Sequence, residues 1–305
     1  MRVLVTGGCG FIGSHIADRF HAAGSEVSII DNLSTGAVDN IKDEYRLYRL
    51  DIQDAECERV FAESRPDIVV HMAAQADVNT SINNPVLDAA SNILGLVNML
   101  HLSCRYGAGK FIFASSAAVY GNSEQVPLRE EMNANPLSPY GISKLTGELY
   151  CMKWKEIFGL NTLCFRFSNV YGPRQGIKGE GGVVSIFMER LVRNQELVVF
   201  GDGTQTRDFI YVEDLAQAVY KSSLGHISGV FNLSTNTETS INCLIKTLET
   251  IRPVKNVVYK EQRKGDILKS RLDNSRIRMV LGWDMEYSFI DGVKKTFEYF
   301  YRTVV

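Results

Sequence analysis

Val3-Leu4-Val5-Thr6-Gly7-Gly8-Cys9-Gly10-Phe11-Ile12-Gly13, followed eighteen residues later by Asp31, decides the fold of this chain. The apolar triplet 3–5 reads as a buried strand, 11–23 as a helix and 26–30 as the next strand. Glycines at 7, 10 and 13 let the connecting backbone turn sharply and approach a pyrophosphate, whose charge the unpaired N–H groups and dipole of a helix N-terminus favour. Asp31, ending the second strand, offers a carboxylate to the hydroxyls of an adenosine ribose. No Lys or Arg lies between Asp31 and Ile41, so a 2′-phosphate would meet negative charge without a partner, and the expected cofactor is NAD rather than NADP. Three spaced glycines alone occur in ordinary turns; the order strand, turn, helix, strand, acid gives them weight. Of Cys9 only the backbone is expected to matter.

The alternation continues. Strand-like runs at 3–5, 27–30, 45–50, 68–71, 111–114 and 163–167 enclose helical stretches near 11–23, 54–64, 85–106 and 140–158. This predicts an α/β chain with a Rossmann-type, doubly wound parallel sheet, whose ligands lie outside the carboxyl ends of the strands. The polar residues ending these runs are Thr6, Asp31, Asp51, Ala73-Ala74-Gln75, Ser115-Ser116 and Ser168-Asn169, which would line one edge. Beyond about residue 170 the pattern loosens into glycine loops at 173–176, 179–182 and 201–203. Residues 1–170 are expected to form the dinucleotide-binding domain, and 171–305 mainly a smaller, interleaved substrate-binding lobe with some segments returning to the sheet. Leu94, Val97, Leu100 and His101, with Leu145, Leu149 and Trp154, would suit helix-against-helix packing in a homodimer; burial against the sheet is the alternative.

Bulk properties narrow the partners. A formal charge of −2 over 305 residues gives no general attraction to nucleic acid or anionic membrane, so an anionic ligand needs local cations. The six cysteines, at 9, 57, 104, 151, 164 and 243, have neither disulfide-framework nor zinc spacing, and the five histidines show no metal spacing. A reducing, cytoplasmic setting without a metal is expected. With strand one at the start no signal peptide is expected, and no apolar run is expected to reach membrane-spanning length. His71, ending a strand, reads as packed rather than ligating.

Tyr140-Gly-Ile-Ser-Lys144 puts a phenol and an ammonium on adjacent turns of one helix face, with Pro139 suited to the helix start. A cation beside the phenol, with a cationic nicotinamide nearby, draws a group of ordinary pKa about 10 toward use as a general base. Ser116, at a strand end, would bridge Tyr140 and a substrate hydroxyl. Alone such a pair usually sits solvated on a helix; after the glycine turn and Ser115-Ser116 it reads as catalytic.

On these stretches the chain resembles the extended short-chain dehydrogenase/reductase superfamily, and within it the UDP-hexose 4-epimerases. The matching segments are 6–15, 31–36, Asp51-Ile52, 71–75, 115–121, 139–144, 166–175, 181–184, 201–212 and 263–266, an essentially end-to-end likeness. The resemblance implies an isomerase: Tyr140 takes the proton of the sugar 4-hydroxyl while tightly bound NAD oxidises C4, and the 4-keto sugar turns over and is reduced on its other face. It implies cofactor contacts at Gly7, Gly10, Phe11, Ile12 and Gly13, at Asp31, Asn32, Ser34, Thr35 and Gly36, and at Asp51 and Ile52. Further cofactor contacts fall at Met72, Ala73, Ala74, Gln75, Asn92, Ser115, Tyr140, Lys144 and Phe167. For the sugar nucleotide it implies Ser116, Tyr140, Asn169, the Val184 backbone, Phe200, Arg207, Arg263, Asp266 and Ser270. The residue types agree for the arginines, since guanidinium forks suit phosphate.

Sister 4,6-dehydratases carry Asp-Glu, and decarboxylases a Glu, where this chain has Ala117 and Ala118, which transfer no proton. Small Ser270 would admit N-acetylated sugars (UDP-GlcNAc/UDP-GalNAc) beside UDP-glucose and UDP-galactose. Ala76 stands where several galactose epimerases have a lysine near the cofactor. The alternatives are a UDP-glucuronate 4-epimerase, with Arg174 serving the carboxylate, another NAD-dependent nucleotide-sugar enzyme, and a non-catalytic NAD-binding regulator.

Overall fold

The computed structural model describes residues 1–304 except 124, 177–180 and 263–266. Strands β1 (Arg2–Thr6), β2 (Glu26–Ile30), β3 (Arg46–Tyr48), β4 (Ile68–His71), β5 (Lys110–Ser116) and β6 (Asn161–Phe167) alternate with helices α1 (Phe11–Ala22), α2 (Cys57–Ser64), α3 (Val78–Asn83), α4 (Pro85–Ala89), α5 (Gly95–Arg105) and α6 (Pro139–Phe158). Then come β7 (Asn169–Tyr171), α7 (Val183–Val192), β8 (Leu197–Phe200), β9 (Thr206–Arg207), β10 (Phe209–Tyr211), α8 (Val212–Ser223) and β11 (Gly229–Leu233). The chain ends with β12 (Thr239–Ser240), α9 (Ile241–Glu249), β13 (Val257–Lys260), α10 (Ser275–Leu281) and α11 (Phe289–Val304).

The main sheet is all-parallel in the order β11-β6-β5-β4-β1-β2-β3. Its central strands are apolar throughout because both faces are covered. Val3 and Val5 point into one layer with Ile16 and Phe20 of α1 and Leu215 and Val219 of α8, while Leu4 enters the other with Phe61, Leu96 and Met99. The order in which strands are added reverses between β1 and β4, which opens a crevice at their carboxyl ends. A third core, built on α7, α9 and α11, sits outside the sheet.

Two expectations need correction. Pro85–Arg105 is one 21-residue helical run whose length and apolar composition would allow a membrane span. It contains Asp88, Asn92 and Asn98, and packs one side on the sheet through Leu96, Met99 and Leu100. That packing also removes Leu100, fully buried, from any subunit interface, and Leu145 and Trp154 are half-buried against core side chains. Helix α3 has no counterpart among the helices read from the sequence; its start is fixed by Asp77, whose carboxylate accepts from Thr80 N at 2.7 Å.

Candidate active site

A cleft of about 610 Å³ runs along the carboxyl ends of β2, β1, β4, β5 and β6. At one end the glycine turn follows β1. Gly7 has φ +67° and a Cβ there would lie 2.7 Å from Ala73 N, while a Cβ on Gly13 would lie 2.1 Å from Gly7 O. Only glycine lets the first turn of α1 press so closely on the loop. Gly10 caps α1 without a side-chain hydrogen bond, so no capping side chain occupies the first N–H groups.

Asp31 is buried, and its two carboxylate oxygens accept from Cys9 N at 2.9 Å and Leu33 N at 2.8 Å. Cys9 thus contributes its backbone, as expected; burial, then the Asp31 charge, push its thiol up to about 12. Asn32 donates to Asp51 at 2.8 Å and accepts from Ser34 N at 3.0 Å, which shapes the wall around Thr35 and Gly36.

The β4 end is held by Thr6, whose Oγ1 accepts from Ala73 N at 3.3 Å and lies 2.8 Å from His71 Nδ1. Burial, then the nearby Lys144 charge, drive His71 down to about 3, so the ring is neutral where it meets the Thr6 hydroxyl. Asn92, on a π-helical turn (Ala90–Leu94), accepts from Gln75 N at 2.8 Å and donates to Gln75 O at 2.9 Å. It also reaches Ser143 Oγ at 3.2 Å, itself bonded to Tyr140 O at 2.9 Å. The Asn92 amide stands behind the cleft wall and locks the Met72–Gln75 loop to α6.

Helix α6 starts where Ser138 Oγ accepts from Gly141 N at 3.1 Å, with Pro139 in the first turn. Tyr140 and Lys144 both face the cleft, with Lys144 Nζ 5.7 Å from the Tyr140 ring centroid. Lys144 is buried and donates to Ala114 O at 2.8 Å, which ties the helix to the strand that ends in Ser116. Ser116 Oγ accepts from Ala118 N at 3.1 Å, keeps its proton free to donate, and lines the same cleft.

One turn below Lys144, buried Glu148 accepts from Ser115 Oγ and takes a two-pronged ion pair from Arg166, Nε–Oε1 2.9 Å and Nη2–Oε2 2.7 Å. Arg166 also lies 4.7 Å over the Tyr120 ring, and Tyr120 donates to Asn232 at 2.6 Å. Glu148 is not among the residues expected from sequence, although it follows Lys144 by four residues on the same helix.

Of the residues expected to touch the cofactor, all but Asn92 line the cleft, as do Ser116 and Asn169. Others of the expected substrate set do not. The Val184 side chain packs in the α7 core, and Phe200 ends β8, where Gln205 donates to its carbonyl at 2.7 Å. Arg207 Nη1 donates to Thr206 O at 2.8 Å and Ile267 O at 2.7 Å, bracing the segment beyond it. Ser270 is buried two residues before Leu272, which bridges to Leu128. Arg263 and Asp266 lie outside the described residues. Arg174 turns away from the cleft to pair with Asp18 at 2.8 Å in a separate groove beside His15, so it offers nothing to a sugar carboxylate.

Comparison with known proteins agrees with this architecture. Residues 3–232 match the NAD dependent epimerase/dehydratase family. The chain is 40% identical over 295 residues, 96% of each chain, to a putative UDP-glucose 4-epimerase of Methanocaldococcus jannaschii. It belongs to this family. The solved UDP-glucose 4-epimerase of Thermotoga maritima, in complex with UDP-glucose, superposes with a TM-score of 0.97 at 43% identity over the whole of both chains. That of Thermus thermophilus, in complex with NAD, gives 0.92 at 37% identity, again over both whole chains. The residues present fit NAD: a glycine cradle that a Cβ would fill, an uncapped helix start, and a buried carboxylate at the β2 end.

Proposed function

We propose that the protein is a UDP-hexose 4-epimerase, an isomerase that uses NAD as a resident cofactor. The observation that carries this reading is the meeting of Ser116, Tyr140 and Lys144 at one cleft with the Gly7–Gly13 turn and Asp31. Residues 1–170 would hold the cofactor and 171–305 mainly the sugar nucleotide. Gly7, Gly10 and the first turn of α1 take the pyrophosphate, and Asp31 the adenosine ribose. Bound NAD supplies the transient oxidation of C4 and its reversal. Tyr140 takes the proton from the 4-hydroxyl and returns it, Ser116 holds the C4 oxygen, and Lys144 stabilises the phenolate. The chain's part is positioning and electrostatics. Ala117 and Ala118 follow Ser116 on a tight turn and cannot serve as acid or base, which favours epimerisation over elimination or decarboxylation.

The family resemblance sets small Ser270 near the sugar C2 substituent, which supports acceptance of N-acetylated sugars, although Ser270 is buried and does not line the cleft. The exposed apolar residues Val86, Leu94, Ile142, Leu149 and Met152, on helices that pack together, suit a homodimer. One experiment tests the activity: incubation with UDP-glucose or UDP-GlcNAc, no nicotinamide nucleotide added, for wild type, Tyr140→Phe and Ser270→Tyr. Wild type should form the C4 epimer of each, Tyr140→Phe should lose activity about 10²- to 10⁴-fold with NAD still bound, and Ser270→Tyr should lose only the N-acetyl reaction. A 4-keto-6-deoxy product from wild type contradicts the epimerase reading.

A further inference from the structure

Arg174 and Gln175 are neighbours in the chain that face opposite ways. Arg174 lines the groove behind α1, whereas Gln175 lines the active-site cleft. Arg174 itself has a φ of +66°, in the left-handed region where a residue other than glycine stays only when its surroundings hold it. What holds it is α1. Asp18 accepts from the Arg174 guanidinium on one carboxylate oxygen at 2.8 Å and from the Tyr45 hydroxyl on the other at 2.6 Å. One turn earlier on the same helix face, buried His15 donates from Nε2 to Pro173 O at 3.0 Å. On its far side the same stretch holds the start of α7. Gln175 Nε2 donates to Val170 O at 3.1 Å, and a Cβ on Gly182, the residue that caps α7, would lie 3.2 Å from that nitrogen. Ser185 of α7 donates to Gly176 O at 3.1 Å.

We infer that Arg174 is a positioning residue for sugar-nucleotide binding: clasped to Asp18, it fixes residues 173–176 against the cofactor helix and so sets where the α7 side of the cleft stands. The inference rests on the epimerase reading above. Ser116, Tyr140 and Lys144 stand on β5 and α6, outside this chain of contacts. Loosening the clasp should therefore weaken substrate binding and spare the chemical step. The two side chains are each 24% exposed, so an ion pair between them adds little to global stability, and its consequence is placement.

The test compares NAD-loaded wild type, Asp18→Asn, Arg174→Ala, the double variant and Arg174→Gly. Each is measured for kcat and KM with UDP-glucose, for bound NAD and for its urea midpoint. Asp18→Asn and Arg174→Ala should each raise KM about 5- to 50-fold, with kcat changed less than about threefold and NAD retained. The double variant should be no worse than Arg174→Ala, because both changes open one contact. Arg174→Gly holds a positive φ without strain and should show a KM at least about threefold below that of Arg174→Ala. An unchanged KM, a fall in kcat alone, losses that multiply in the double variant, or a glycine variant no better than alanine overturns the assignment. A lowered urea midpoint with lost NAD and no separate rise in KM marks a merely structural contact and overturns it too. Wild type that does not epimerise UDP-glucose contradicts the epimerase reading itself, whereas an active wild type matched by every variant contradicts only the clasp.

Discussion

Lys144 donates its ammonium to the carbonyl oxygen of Ala114 at 2.8 Å, two residues before the strand-end serine Ser116. This hydrogen bond, with the Ser115–Glu148 bond below it, ties the helix that carries the phenol to the strand that carries the hydroxyl. Lys144→Met should lower kcat at least 10²-fold and also reduce the NAD that co-purifies, measured enzymatically after denaturation. Lys144→Arg should not rescue it, because a planar fork cannot replace a compact charge in a buried slot. Full activity in Lys144→Met would falsify the role given to this cation.

Beneath that contact, Glu148 and Arg166 form a buried pair at 2% and 7% side-chain exposure. Removing one partner strands the other charge, so Glu148→Gln should cost about 3–5 kcal/mol in urea unfolding. Glu148→Gln combined with Arg166→Met removes both charges and should recover a good part of that loss. A double variant no more stable than Glu148→Gln contradicts a stability effect carried by the charge pair.

His71 gives a pH signature. The folded ring titrates near 3, against an ordinary value of 6.5, because it is buried beside Lys144. From pH 6.5 down to 3 the unfolded chain binds a proton that the folded chain refuses, so stability falls as pH falls, by up to about 1.4 kcal/mol per pH unit. His15, lowered to about 4 by burial and then Arg174, acts in the same direction. His71→Asn keeps a polar partner for Thr6 and should flatten the stability slope between pH 6 and 4. An unchanged slope would show that His71 is not the group responsible.

The subunit surface is tested at Leu94 and Leu149, 63% and 51% exposed on neighbouring helical segments. Wild type should run as a dimer by light scattering, and Leu94→Lys with Leu149→Lys as a monomer. A wild-type monomer, or a dimer indifferent to both charges, excludes this face.

Much of the cleft could be read from the chain because its chemistry is local. The glycine turn, Asp31 and the Tyr140–Lys144 spacing each carry their geometry within a few residues. What escaped depends on long-range packing. The 85–105 run is apolar on both sides, so nothing in its sequence says that Leu100 meets the sheet while Leu94 meets solvent. The resemblance implies a cofactor contact for Asn92, whereas the π-helical turn aims its amide at the Gln75 backbone. Arg174 sits in a stretch that resembles the family closely, yet its φ of +66° and its pairing with Asp18 take it out of the cleft.

Hydrogen is expected to be removed from and returned to one sugar carbon within the cleft. Epimerisation of UDP-glucose deuterated at C4 tests it most directly, with the product examined by NMR and mass spectrometry. The account predicts UDP-galactose that keeps the deuterium at C4, formed without added NAD. Deuterium lost to solvent, or found at another carbon, would contradict it.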